Sequence, residues 1–360
     1  PCTGFMPHVL EKNRFDPIPE DLAAKMHKMI AIIQFKVEGQ TIMNHPEFNM
    51  NHRLLLDKID LEKGTVECYG ETYPIKDTNL PTIDPADPYK LSPEEEEVMV
   101  ALEASIVNSR KLQEHINFLY THGALFTTYN GNLLFHGCIP FTEEGDFMEV
   151  TIAGKTNHGA ALMRQLDQEL REVYFNPRCE LDKADAANLM WYLWLGPDSP
   201  LFGKDKMTTF ERLFIEDKAT HKERTVPYYK LIKEKDICIK IIRDFDLDPS
   251  RAIILNGHVP VKIKDGESPI KGEGKLIVID GGISKAYQKT TGIAGYTFIF
   301  NSWFMALSEH EPYHPLQPDG TQEFNNPNIV TTHTLPERML IIDTDIGKVL
   351  QSQIDDLQQL

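Results

Sequence analysis

The chain has 360 residues, 41% hydrophobic and 25% charged, with a formal net charge of −17. That balance suits a globular protein of one large or two medium domains and argues against nucleic acid as a partner, since phosphate contacts need clustered Lys and Arg. No apolar run approaches the ~20 residues of a membrane span, and five scattered cysteines without metal-finger spacing read as a reducing, cytoplasmic setting.

In chain order, Leu22, Met26, Met29, Ile30, Ile33 and Val37 recur at helical spacing and predict a helix over Asp21–Gln40. Val66–Tyr73 reads as a strand of a hairpin entered through Lys63-Gly64. Lys76–Leu91 is a loop, punctuated by Pro81, Pro85 and Pro88. Residues 1–91 are thus a helix, a hairpin and a linker ahead of a main domain over 92–360. Ser92-Pro93-Glu94-Glu95 opens a helix: Ser92 caps, Pro93 suits the first turn and Glu95 completes a capping box. The helix is expected to run to His122 and stop at Gly123. Val98, Leu102, Ile106, Leu112, Ile116 and Leu119 would form its core face.

Leu133-Leu134-Phe135 is a short apolar strand, and His136-Gly137 follows at once. A helical insert comes next, at about 155–247, with helices near Gly159–Val173, Ala184–Leu195, Thr208–Glu216 and Tyr228–Phe245. Trp191, Trp194 and Phe202 are its expected core, and Gly196–Pro200 is a turn. Strands are expected at 252–255, 276–279, 296–301, 304–308 and 339–343, and a closing helix at 346–360.

The polar residues worth weighing stand where strands end. Ala252–Leu255 gives way to Asn256-Gly257-His258, and Leu276–Ile279 to Asp280-Gly281-Gly282. Ligands gather beyond strand ends in sheets of this kind, and glycine lets backbone approach them. One histidine alone reads as a core or surface residue. Here two stand in the same strand-end context, 122 positions apart, each held on a rigid element as a metal ligand should be. Asp280 either orients a ligand histidine or caps the Gly281-Gly282 turn. Asn256 either holds the loop before His258 or touches a phosphate. Lys262 shares a face with His258 if that strand continues. Arg212 is either a phosphate clamp or a helical surface residue. Residues 258–289 carry six lysines against four acids, a local positive balance in an acidic chain. His27, His115, His158, His310 and His314 are read as structural.

Five blocks carry a resemblance: LLFHGCIP, WYLWLGPDSPLFGKDKMTTFER, NGHVPVK, GKLIVIDGGISKAYQ and TGIAGYTFIFNS. Together they resemble the class III fructose-1,6-bisphosphatases of Firmicutes-type bacteria, within the calcineurin-like metallophosphatase superfamily. The resemblance implies an α/β sandwich of that type, of which this chain would supply the C-terminal half: a mixed sheet, flanking helices and the helical insert. It implies hydrolysis of fructose 1,6-bisphosphate to fructose 6-phosphate in gluconeogenesis, at a binuclear site holding Mn2+. His136 and His258 would ligate one metal, with Asp280 and Asn256 behind them and Lys262 and Arg212 toward the substrate phosphates. A homo-oligomer is open. The superfamily's motifs Asp-x-His, Gly-Asp-x-x-Asp-Arg-Gly and Gly-Asn-His-[Asp/Glu] do not occur. The chain is therefore expected to be a C-terminal portion, inactive alone, whose remaining ligands and general acid lie upstream. The rival expectations are another metallophosphoesterase and a non-catalytic acidic module that keeps the fold.

Overall fold

The computed structural model describes residues 2, 5, 18–152, 154–176, 183–280, 282, 291–292, 295–310, 319 and 328–359. Helix α1 (Glu20–Asn44) follows the expected apolar spacing and extends beyond it at both ends. Strands β1 (Ile59–Asp60), β2 (Thr65–Cys68) and β3 (Glu71–Pro74) form an antiparallel sheet. The stretch expected as one strand is two, because Tyr69 and Gly70 take φ of 55° and 84° and reverse the chain.

Helix α2 (Pro93–Val107) starts with the expected capping box. Glu95 N donates to Ser92 Oγ at 3.3 Å, and Ser92 N donates to Glu95 Oε2 at 2.8 Å. It does not continue to His122. The Asn108 side chain donates to Ala104 O at 2.8 Å, closing α2, and α3 (Arg110–His122) begins after Ser109. The expected core face is also overturned. Leu102, Ile106, Leu112 and Leu119 are exposed, and Val98 and Ile116 are half-buried. Periodicity predicts a stripe but does not say what covers it.

Strands β4 (Phe126–Tyr129) and β5 (Asn132–Phe135) form a hairpin through Asn130-Gly131, and β6 (Val150–Ile152) pairs with β7 (Lys155–Asn157). Helices α4 (Gly159–Phe175), α5 (Lys183–Leu195) and α6 (Thr209–Phe214) match expectation closely. The single helix expected at 228–245 is two, α7 (Tyr228–Leu231) and α8 (Lys235–Asp244). Phe202 is buried and Trp191 half-buried, but Trp194 is 55% exposed, because α5 buries Leu189, Tyr192, Leu193 and Leu195 instead.

Next come β8 (Ile254–Asn256), β9 (Ile270–Lys271), β10 (Leu276–Val278), β11 (Gly295–Phe300), β12 (Phe304–His310), β13 (Ile329–Thr334) and α9 (Asp345–Gln358). No strand forms at 339–343. Asp343 Oδ2 accepts from Leu340 N at 2.8 Å and tightens the segment into a 3₁₀ turn. Strands β11, β12 and β13 form a three-stranded antiparallel sheet, whose third strand the β-branched IVTTHT run could have signalled.

Two compact units result. The first comprises Pro1–Gly123, Val173–Pro197 and Lys204–Arg224. Its core gathers Ile32, Phe35, Leu55, Val66, Phe210 and Phe214, with Phe35 edge-on to both other phenylalanines. The second comprises Ala124–Glu172, Asp198–Gly203 and Thr225–Leu360. Its main sheet is mixed, in the order β4-β5-β8-β10-β9, with parallel β5, β8 and β10 inside and antiparallel strands at both edges. Leu133, Ile254, Leu276 and Ile277 are fully buried, as strands covered on both faces must be. Parallel pairing also decides what leaves the sheet together. Phe135 and Val278 both pair with Asn256, so residues 136, 257 and 279 exit side by side.

Candidate metal centre

His136 follows β5 directly and His258 stands two residues beyond β8. Their nitrogens meet: His258 Nδ1 lies 3.0 Å from His136 Nε2, with ring centroids 4.9 Å apart and planes at 80°. His258 reaches this position in the left-handed region, at φ 68°. Asn256, only 1% exposed, fixes the floor. Its Nδ2 donates to Gly137 O at 2.8 Å and His136 O at 3.1 Å, while Gly257 N donates to His136 O at 3.0 Å. Asn256 thus holds the loops, which is one of its two expected roles. Its Oδ1 is buried with no partner among the described residues.

The pair fits a divalent ion. Two imidazole nitrogens about 2.1 Å from one ion and at right angles around it stand roughly 3 Å apart. The protonation state fits too. Burial, and then the neighbouring His258, pull the His136 pKa below its ordinary value, against a smaller opposing pull from Asp280. Neutral imidazole is the form that binds a metal.

Asp280 takes the turn-capping role: its Oδ1 accepts from Gly282 N at 2.8 Å, and its carbonyl accepts from Val261 N at 2.9 Å. Its charge still reaches His136. Lys262 does not follow its expectation. β8 ends at Asn256, His258 bends back, and Lys262 leads exposed into a 3₁₀ turn with its N–H on Glu267, so the even-offset argument loses its premise. Arg212 belongs to the first unit, where Nε donates to Thr208 Oγ1 at 3.1 Å and Nη2 to His221 O at 2.9 Å. Lys285, Lys289, Gly281 and His314 lie outside the described residues. Among the described residues, no three His, Cys, Asp or Glu side chains group as metal ligands.

Sequence reasoning missed the Phe202 carbonyl, which lies 2.9 Å from His258 Nε2. A backbone acceptor 56 positions away leaves no signature in side-chain types.

Over residues 1–360 the chain matches the family described as Firmicute fructose-1,6-bisphosphatase. It is 49% identical over 362 residues to a fructose-1,6-bisphosphatase class 3 of Clostridium tetani, covering 100% of this chain and 54% of that protein. Proteins of the same name from Clostridium novyi and Clostridium acetobutylicum are 47% and 48% identical, again over 100% of this chain and 54% of theirs. The chain thus spans about half the length of the curated relatives it matches. No solved structure matches it. A family match along the whole chain, with nearly half of all positions identical, means that the chain belongs to the Firmicute fructose-1,6-bisphosphatase family.

Proposed function

We propose that this chain serves the hydrolysis of fructose 1,6-bisphosphate to fructose 6-phosphate and phosphate, a gluconeogenic step, on a calcineurin-like α/β scaffold in a reducing cytoplasm. The observation that carries the reading is the pair of imidazole nitrogens 3.0 Å apart at the ends of adjacent parallel strands. Family membership supports the substrate. The four described cysteines are free, and no described helix is long and apolar enough to cross a membrane.

His136 and His258 would hold one divalent ion, Mn2+ on this reading, and ligands beyond the described residues would complete a two-ion site. Such ions neutralise charge on the phosphoryl oxygens and activate water at neutral pH. The chain's own contribution is placement. The parallel register brings two rings to one point, and Asn256 ties the loops that carry them.

The test is phosphate release from fructose 1,6-bisphosphate with Mn2+, by the polypeptide that carries this chain, beside a panel of other phosphate esters. His136→Ala or His258→Ala should each lower kcat by more than about 100-fold, since outer-shell changes alone already cost 10–100-fold. Near-normal turnover in both variants would overturn the site. A preference for another ester would overturn the substrate. This chain alone, offering two imidazoles among its described residues, should release little phosphate.

A further inference from the structure

We propose that Asp198–Gly203 is a strap that positions the metal-centre histidines, and that its Phe202 carbonyl selects the His258 tautomer that leaves Nδ1 bare. The proposal rests on reading His136 and His258 as ligands, but its first test does not involve a metal.

A carbonyl oxygen only accepts, so His258 Nε2, 2.9 Å from Phe202 O, must carry the proton. In a neutral ring the other nitrogen is then a bare acceptor. That nitrogen, Nδ1, is the one facing His136 at 3.0 Å. His258 is thereby preset, before any ion arrives, with its lone pair toward the point where the two rings meet. The other described contact, His136 Nε2 at 3.0 Å from Nδ1, can donate or accept, so Phe202 O is the contact that can only accept and thereby decides between the tautomers.

The strap is built to lie there. Cys138 N donates to Pro200 O at 2.8 Å, Leu201 N to Ser199 Oγ at 3.1 Å, and Val226 N to Gly203 O at 3.1 Å. It therefore touches both histidine loops, through Pro200 beyond His136 and through Phe202 at His258. Two glycines permit the approach. A Cβ at Gly137 would sit 2.1 Å from Pro200 O and 3.1 Å from Leu201 Cα. Gly203 has φ 67°, and a Cβ there would meet Tyr229 Oη at 2.6 Å and its ring at 2.8 Å. The Gly137 clash is with backbone, so a methyl there must displace the strap; at Gly203 the left-handed φ strains any residue with a Cβ, and a methyl must shift either the strap or the Tyr229 ring.

The first measurement is ring 15N NMR of the metal-free wild-type chain, with the His258 signals assigned by their loss in His258→Gln. The expected result is a proton on Nε2 of His258. A proton on Nδ1 overturns the proposal, and this arm needs no variant of the strap to fold. The second compares Gly137→Ala and Gly203→Ala, with circular dichroism confirming the fold. Each should shift His258 toward the Nδ1–H form and weaken Mn2+ binding, read by calorimetry, about 10–100-fold. Folded variants that keep both the tautomer and the affinity would make the strap structural only and overturn the proposal. If instead His258→Gln leaves Mn2+ affinity unchanged while the wild-type tautomer is as expected, the ligand reading fails and the tautomer selection stands.

Discussion

His258 combines two demands that pull apart. Its φ of 68° is a conformation that costs a residue with a Cβ roughly 1–2 kcal/mol, less for Asn, whose short polar side chain tolerates it. The position is held because the ring must turn back to His136. His258→Asn should therefore melt at or above the wild-type temperature, and about 1 kcal/mol more stable than His258→Ala, while losing the imidazole that binds Mn2+. Thermal denaturation and calorimetry on the three proteins check this. His258→Asn melting below His258→Ala would mean that the left-handed backbone is not strained. Asn256 makes a contrasting case. It binds no ligand on the proposed reading, yet it is the more buried of the two and holds both loops. Asn256→Ala should lower stability by about 1–3 kcal/mol through the Gly137 carbonyl that loses its donor, and Mn2+ affinity along with it.

At the scale of elements, buried ion pairs tie the first unit together, and two of them centre on a glutamate. Lys36, 0% exposed, donates to Glu95 Oε2 at 2.7 Å, and the same carboxylate closes the α2 capping box. Burial raises the Glu95 pKa, but Lys36 and the Ser92 N–H outweigh it and hold the carboxyl below its ordinary value. Ser92→Ala should cost about 1 kcal/mol, the worth of a cap. Glu95→Gln should cost about 3–5 kcal/mol, because a charged Lys36 stays buried without its partner. Glu211, also 0% exposed, grips Arg53 and the Tyr69 hydroxyl and is likewise held low against its burial. Within the TFER block the buried charged residue is thus Glu211, whereas Arg212 lies on the helix surface with local partners. Both carboxyls have depressed folded-state values, so their stabilisation is complete above the ordinary carboxylate range and is lost as pH falls through the depressed one. Urea denaturation between neutral and acid pH should show this loss in wild type. Glu95→Gln should flatten part of it, and an unchanged slope in that variant would remove Glu95 as a cause.

For the molecule as a whole, the apolar surface left open matters most. Val100, Ile106, Phe118 and Leu119 are exposed on α2 and α3, Ile346, Val349, Leu350 and Leu357 on α9, and Leu340–Ile342 just before it. Patches of that kind draw the chain into association. Light scattering should show a mass that rises with concentration. Phe118→Glu, at a residue 64% exposed, should reduce it while stability changes by no more than about 0.5 kcal/mol. A monodisperse monomer at all concentrations would count against the prediction.

What the sequence determined by itself was local. The α2 capping box, the apolar β5 and β8 runs, and the placing of a histidine just beyond each are settled within a few residues, by hydrogen bonds and periodicity that any reader of the chain can apply. The candidate centre was legible for the same reason, since His136 and His258 announce themselves by their strands. Tertiary structure decided everything that depends on a distant neighbour. It paired β5 with β8 in a register that joins rings 122 positions apart. It buried Asn256 beneath them, turned Lys262 into a separate bend, left Trp194 and the α2–α3 stripe open, and laid a backbone carbonyl on His258. Local chemistry predicts which groups a segment offers. Which other segment takes them up depends on packing between residues far apart in the chain, and no pattern within either segment records that.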